Sequence, residues 1–163
     1  MKVIFLDIDG VLNCKNTENP RKFPYVIDLA LLDRLRGLVE RTEAKIVLTS
    51  TWRLDPIGRL AARHFDVPFI DCSPDMPEAA RHEEIKTWLA ENPDVDRFVV
   101  IDDECDGLDS LPLFQPDSDA GLSYDIVVGV ERYLMKESDE TMRADAVVRM
   151  AQNIHSLFKR NKS

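Results

Sequence analysis

Three runs in this chain are apolar from end to end and stop abruptly on acids or hydroxyls. Val3 to Leu6 (VIFL) runs into Asp7-Ile8-Asp9-Gly10, Ile46 to Leu48 into Thr49-Ser50-Thr51, and Phe98 to Ile101 (FVVI) into Asp102-Asp103-Glu104. A strand wetted on one face alternates apolar and polar residues. A strand without alternation is buried on both faces, the condition of a parallel sheet covered by helices. The segments between these runs supply such helices. Asp28 is placed to cap a helix whose apolar positions Leu31, Leu32, Leu35, Leu38 and Val39 recur at helical spacing. Asp55-Pro56 opens a second over Ile57 to Phe65, and Glu78 to Glu91 reads as a third with Ile85, Trp88 and Leu89 on one face.

Shorter strands are expected at Val67 to Ile70 and Leu111 to Phe114, and a loop over Asn13 to Pro24. From Ser123 to Leu134 a capped helix competes with a strand over Ile126 to Gly129. Asp139 to Phe158 reads as a closing helix with Met142, Val147, Met150, Ile154 and Phe158 on its apolar side. The expectation is an α/β fold: one parallel sheet with helices on both faces in a single domain over 1–163, with a core over 1–134 and a helical extension over 135–163.

Composition narrows the function classes. With 163 residues, 44% apolar and 31% charged, the chain can bury a core without a disulfide or metal staple. Its three cysteines, Cys14, Cys72 and Cys105, are far apart and form no CxxC pair, so neither a disulfide framework nor a zinc site is expected. Cys105 is read as a small buried residue. No apolar run is long enough to span a bilayer, and Asp7 and Asp9 interrupt the first one before it could serve as a signal sequence. A cytoplasmic protein with no membrane partner is expected, as a monomer or homodimer. A net charge of −9 opposes nucleic-acid binding over the whole surface; Arg53, Arg59 and Arg63 read as a solvated helix face, with a local basic patch as the alternative.

In open parallel sheets, ligands bind outside the carboxyl ends of the strands. If the three acid- or hydroxyl-tipped strands are neighbours, Asp7, Asp9, Asp102 and Asp103 converge with Thr49 and Ser50 on one spot. Clustered carboxylates repel one another and need a counter-charge. Mg²⁺ is the fitting cation: it takes oxygen ligands, uses one or two protein carboxylates and leaves room for a phosphate oxygen.

DIDGVLN at Asp7 to Asn13, LTS at Leu48 to Ser50 and IDDE at Ile101 to Glu104 resemble, in that order, the motifs of the haloacid dehalogenase (HAD) superfamily. LTSTWR at Leu48 to Arg53, with GLS at Gly121 to Ser123, is similar more narrowly to the HAD domain of Swiss-army-knife RNA repair proteins. The resemblance covers the chain up to about Leu134 and implies a HAD-like Rossmannoid fold and a phosphomonoester hydrolase. It implies Asp7 as nucleophile and metal ligand, and Asp9 as general acid and then base, with its backbone carbonyl on the metal. Asp9 must then hold a proton at neutral pH, a shift that burial beside other carboxylates would supply.

Gly10 permits the turn that brings this backbone inward. The resemblance further implies a phosphate-binding hydroxyl, here Thr49 in preference to Ser50. It implies Asp103 as direct metal ligand with Asp102 supporting it. Where the superfamily places a lysine at a helix start, this chain has Arg81, with Lys86 turned about 100° from Ile85; Arg81 is the expected phosphate-balancing cation. Arg53 is read either as a substrate ligand or as an exposed arginine, and Trp52 either as core or as a platform near the site.

The intervals between motifs are consumed by helices, loops and one strand, so no sizeable cap domain fits. An open site suits a terminal phosphate on a nucleic acid, nucleotide or protein, and a small metabolite remains an alternative. Two other classes compete. A catalytically silent Mg²⁺- or phosphate-binding module is disfavoured by the intact Asp7 and Asp9, and a phospho-accepting receiver domain by its different order of acids.

Overall fold

The computed structural model describes residues 1–105 and 107–136. The expected closing helix over 139–158, within the extension over 135–163, lies outside the described residues. Five strands form one parallel sheet in the order β3-β2-β1-β4-β5: β1 (Lys2–Leu6), β2 (Lys45–Leu48), β3 (Phe69–Cys72), β4 (Arg97–Ile101) and β5 (Leu113–Phe114). Among the described residues four α-helices connect or follow them: α1 (Leu29–Thr42), α2 (Pro56–His64), α3 (Arg81–Glu91) and α4 (Tyr124–Met135). This is the α/β architecture the apolar runs require.

Period-two alternation sorts the central strands between two cores. Ile4, Leu6, Ile46, Leu48, Val99 and Ile101 face α1, α2 and α4, where Leu32, Leu35, Ala62, Val127 and Val130 meet them. Val3, Phe5, Val47 and Val100 face α3 through Ile85 and Trp88, with Phe5 and Trp88 rings edge-to-face at 5.4 Å. Strands with apolar residues on both sides could not be solvated on either. That constraint fixes helices on both faces.

The caps follow local chemistry. The Asp28 carboxylate accepts from the backbone N–H groups of Ala30 and Leu31 at the start of α1, and Asp55 accepts from Ile57 at the start of α2. Ser123 accepts from Ile126, which settles the segment after it as helix rather than strand. The third helix is shorter than expected. Glu78 adopts a left-handed φ of 67°, and the chain becomes helical only at Arg81, where the Glu83 carboxylate accepts from Ala80 N–H. The third strand begins at Phe69 rather than Val67, because Val67 N–H still bonds back to Ala62 at the end of α2.

A single turn of 3₁₀ helix, Thr51–Leu54, links β2 to α2 and buries Trp52 and Arg53. Helix α2 packs on this turn so closely that a Cβ at Gly58 would lie 2.6 Å from the Trp52 carbonyl oxygen and 3.0 Å from its Cα. Gly58→Ala gives a better helix former by about 1 kcal/mol in isolation. Here it should destabilise the protein by about 1–3 kcal/mol, because backbone must move to admit the methyl. Urea denaturation of the two proteins measures this; a more stable variant would contradict the packing described.

Candidate active site

β1 and β4 are neighbours, but the chain leaves β1 toward β2 and leaves β4 toward β5. The crevice between them is the topological switch point of the sheet. Each strand's hydrogen-bond ladder runs one residue past the strand, and those residues are the chemically interesting ones. Asp7 N–H bonds Ile101 O at 2.9 Å, Thr49 N–H bonds Leu6 O at 2.9 Å, Ser73 N–H bonds Leu48 O at 2.8 Å and Asp102 N–H bonds Phe114 O at 3.3 Å. The sheet itself therefore sets Ser73, Thr49, Asp7 and Asp102 in one row.

Asp7, Asp102 and Asp103 each offer a carboxylate oxygen within 4.8 Å of the others. Asp7 and Asp102 are buried and Asp103 partly so. Burial, with the charge of Asp102 behind it, pushes the Asp7 carboxyl from its ordinary 3.8 up to about 7; Arg81 and a hydrogen bond from Ser50 pull the other way. Burial also raises Asp102, against the pull of Arg81, and raises Asp103, whose neighbour Asp102 adds to the effect. All three shifts report the same fact: negative charge here lacks sufficient compensation. A hard divalent cation with oxygen ligands fits this donor set.

Arg81 supplies part of the balance. As the first residue of α3 it reaches back over the sheet edge, ion-paired to Asp102 and 4.0 Å from Asp7 Oδ2. Lys86 is exposed. Gly10, with φ +73°, lies against Asp103 so tightly that a Cβ would fall 2.2 Å from the Asp103 Cγ. Only a residue without a side chain lets the Asp9-Gly10 turn meet Asp103.

Both candidate hydroxyls are wholly buried. Ser50 is hydrogen-bonded to Asp7 and accepts from Trp52 N–H. Thr49 Oγ1 has no partner among the described residues, and neither has Ser73 Oγ on the next strand. A buried hydroxyl without a partner costs about 1–3 kcal/mol. The unpartnered Thr49 hydroxyl is thus available to a ligand.

Four sequence-based expectations need correction. Asp9 is exposed rather than buried, and its carboxylate stands apart from the Asp7, Asp102 and Asp103 group. It is held instead by two donors, Asn13 Nδ2–H on Oδ1 at 2.8 Å and Trp52 Nε1–H on Oδ2 at 2.9 Å. Trp52 is both core, at 2% exposure, and part of the site's surroundings.

Arg53 is neither exposed nor free for substrate. It is buried, and its guanidinium donates to the carbonyls of Thr49, Ser50 and Ser73 and to Glu84 of α3. It therefore cannot join Arg59 and Arg63, which stay exposed on α2. Cys105 is exposed, because the chain beyond Asp103 leaves the sheet for the surface. Nothing in the sequence marked Glu84 or Ser73; Asn13 lay within the quoted DIDGVLN string without a role.

The raised Asp7 carboxyl has a consequence for stability in chelator. Its folded value of about 7 lies above its ordinary 3.8, so the folded state keeps a proton that the unfolded chain has lost. This contribution is fully present below about pH 4, falls as pH rises and is gone above about 7. Asp7→Asn removes the ionisation, so its advantage over wild type in urea denaturation should grow between pH 5 and pH 8. An advantage independent of pH would contradict the electrostatic account.

No curated protein and no solved structure matches the chain. A family model described as the HAD domain in Swiss Army Knife RNA repair proteins matches residues 3–127, from the first strand into α4. Those residues include the switch-point acids, the buried hydroxyls and the helix that carries Arg81, and on that match the chain belongs to the family of HAD domains of Swiss Army Knife RNA repair proteins.

Proposed function

We propose that the chain is a Mg²⁺-dependent phosphomonoester hydrolase that forms an aspartyl phosphate on Asp7. The observation that carries this reading is the buried Asp7 at the switch point, sharing its pocket with Asp102, Asp103 and the Arg81 guanidinium. Asp7, Asp103 and the Asp9 carbonyl are the groups suited to hold the cation, with Asp102 in support. When bound, Mg²⁺ keeps the carboxylates ionised and offsets charge on the phosphate.

Asp7 attacks phosphorus, and the P–O bond to the leaving group breaks. Asp9, once protonated, delivers that proton to the departing oxygen. It then takes a proton from the water that attacks phosphorus, which breaks the acyl phosphate, regenerates the Asp7 carboxylate and frees phosphate. Thr49 offers its unpartnered hydroxyl to a phosphoryl oxygen, with Ser50 beside it. Arg81 aims a planar, permanently charged donor at the same oxygens. No cap covers the crevice among the described residues, which suits a phosphate at the end of a larger molecule such as a nucleic acid, a nucleotide or a phosphoprotein.

Hydrolysis of a phosphomonoester should require Mg²⁺ and stop on chelation. In rapid-quench labelling, phosphate should appear on Asp7 and be absent from Asp7→Asn. Asp9→Asn should still label with an activated ester and then lose the label slowly. Full activity after exhaustive chelation, or label on another residue, would overturn the mechanism.

Arg81→Ala should lower kcat by about 10²–10³, the usual loss for one electrostatic donor. Arg81→Lys should recover part of it, and Lys86→Ala should be mild. A crippled Lys86→Ala beside a near-normal Arg81→Ala would assign the cation to Lys86.

A further inference from the structure

We infer that Trp52 and Asn13 are positioning residues for the Asp9 carboxylate, fixing it where a proton passes to the leaving oxygen. The role rests on the phosphatase reading above; the contact itself does not. An exposed aspartate samples several rotamers, and transfer is efficient only from those pointing at the ester oxygen. Asp9 is exposed, yet both its oxygens are engaged by donors that cannot themselves move freely.

Asn13 is fixed on three sides. Its Oδ1 accepts from Gly10 N–H at 3.0 Å, and its Nδ2 also donates to Val26 O at 2.9 Å. Trp52 is fixed by packing. It lies in the core at 2% exposure, the Tyr25 ring meets it edge-on at 4.9 Å, and Gly58 of α2 closes on its backbone. Tyr25 is in turn tied to Asp55, the residue that caps α2.

The indole N–H is therefore a donor held by core packing and aimed at an exposed carboxylate. A carboxyl has about four lone-pair positions. One N–H on each oxygen leaves further lone-pair positions open for contact with the leaving oxygen.

This role makes a demand that simple packing does not. Losing a positioning donor should hurt substrates whose leaving oxygen needs a proton and spare those whose leaving group departs as a stable anion. Compare Trp52→Phe and Asn13→Ala with wild type on an alkyl phosphate and on 4-nitrophenyl phosphate, in Mg²⁺. General-acid catalysis is worth about 10²–10⁴, so partial misplacement should lower the rate at which the alkyl ester labels Asp7, read by rapid quench in a single turnover, by about tenfold. The same labelling rate with the nitrophenyl ester should change by less than about twofold, whereas later loss of the label, which needs Asp9 as base, slows equally after either ester. Equal losses of labelling rate on both esters, or no loss on either, would overturn the role. Asn13→Ala keeps the test decisive if Trp52→Phe does not fold.

A second readout needs no turnover. The chain has two tryptophans, and the other, Trp88, gives its indole N–H to Asp71 at 2.8 Å. Asp9→Asn should shift the Trp52 indole signal in a ¹⁵N–¹H spectrum and leave that of Trp88 in place. An unmoved Trp52 signal would overturn the contact. Wild-type protein that hydrolyses neither ester would overturn the phosphatase reading and the proton-transfer role together, with the indole shift then marking the contact as sound on its own.

Discussion

Carboxylates removed from water must be balanced, and most of what is distinctive in this fold follows from that requirement. Asp7, Asp102 and Asp103 are brought together by strand ends whose positions the ladder dictates. Isolated buried carboxylates are so costly that they protonate instead, and the raised pKa of all three shows the balance to be incomplete. Arg81 on the first turn of α3 and the Ser50 hydroxyl each supply part of what is needed. A site short of positive charge and lined by hard oxygen donors fits the proposed binding of a cation and a phosphate together. That is the chemical condition of metal-assisted phosphoryl transfer.

A second buried charge pair holds the first arrangement in place. Arg53 ties the backbone of the hydroxyl loop and the end of β3 to Glu84 on α3, all out of water. Its five N–H donors allow one side chain to satisfy several fixed carbonyls at once, which lysine could not do. Because the helix it anchors also carries Arg81, the spacing between Thr49, Ser50 and the cation is set by a buried network rather than by a flexible loop. The 3₁₀ turn that delivers Arg53 inward also delivers Trp52 toward Asp9.

The fold was legible because it rests on simple regularities. Continuous apolar runs required a sheet covered on both faces, and the acids and hydroxyls closing those runs marked the edge where ligands bind. The meeting of Asp7, Asp102 and Asp103 was legible for the same reason, since strand ends fix them, whereas Arg81 was expected from the family resemblance. What escaped was the direction of side chains leaving irregular segments. Arg53, on a single turn of 3₁₀ helix, could have pointed to solvent or to the core, and no periodicity decides between them. Asp9, in a tight turn, was expected among its fellow acids but turns outward to Trp52 and Asn13. Glu84 lies in an acidic stretch that gives no sign of which carboxylate the core will accept. The starts of β3 and α3 shifted by two or three residues because a backbone bond to Ala62 and a left-handed turn at Glu78 override local propensity.

The central claim is that the switch-point acids hold a divalent cation while Asp7 is the atom-level target of the phosphoryl group. A crystal structure grown with Mg²⁺ and beryllium fluoride, a mimic of the aspartyl phosphate, tests both parts at once. The account predicts the fluoroberyllate bonded to an Asp7 carboxylate oxygen, the cation on Asp7 and Asp103, and Arg81 turned toward the fluorines. A fluoroberyllate bonded to any other residue, or a cation bound away from these acids, would contradict it.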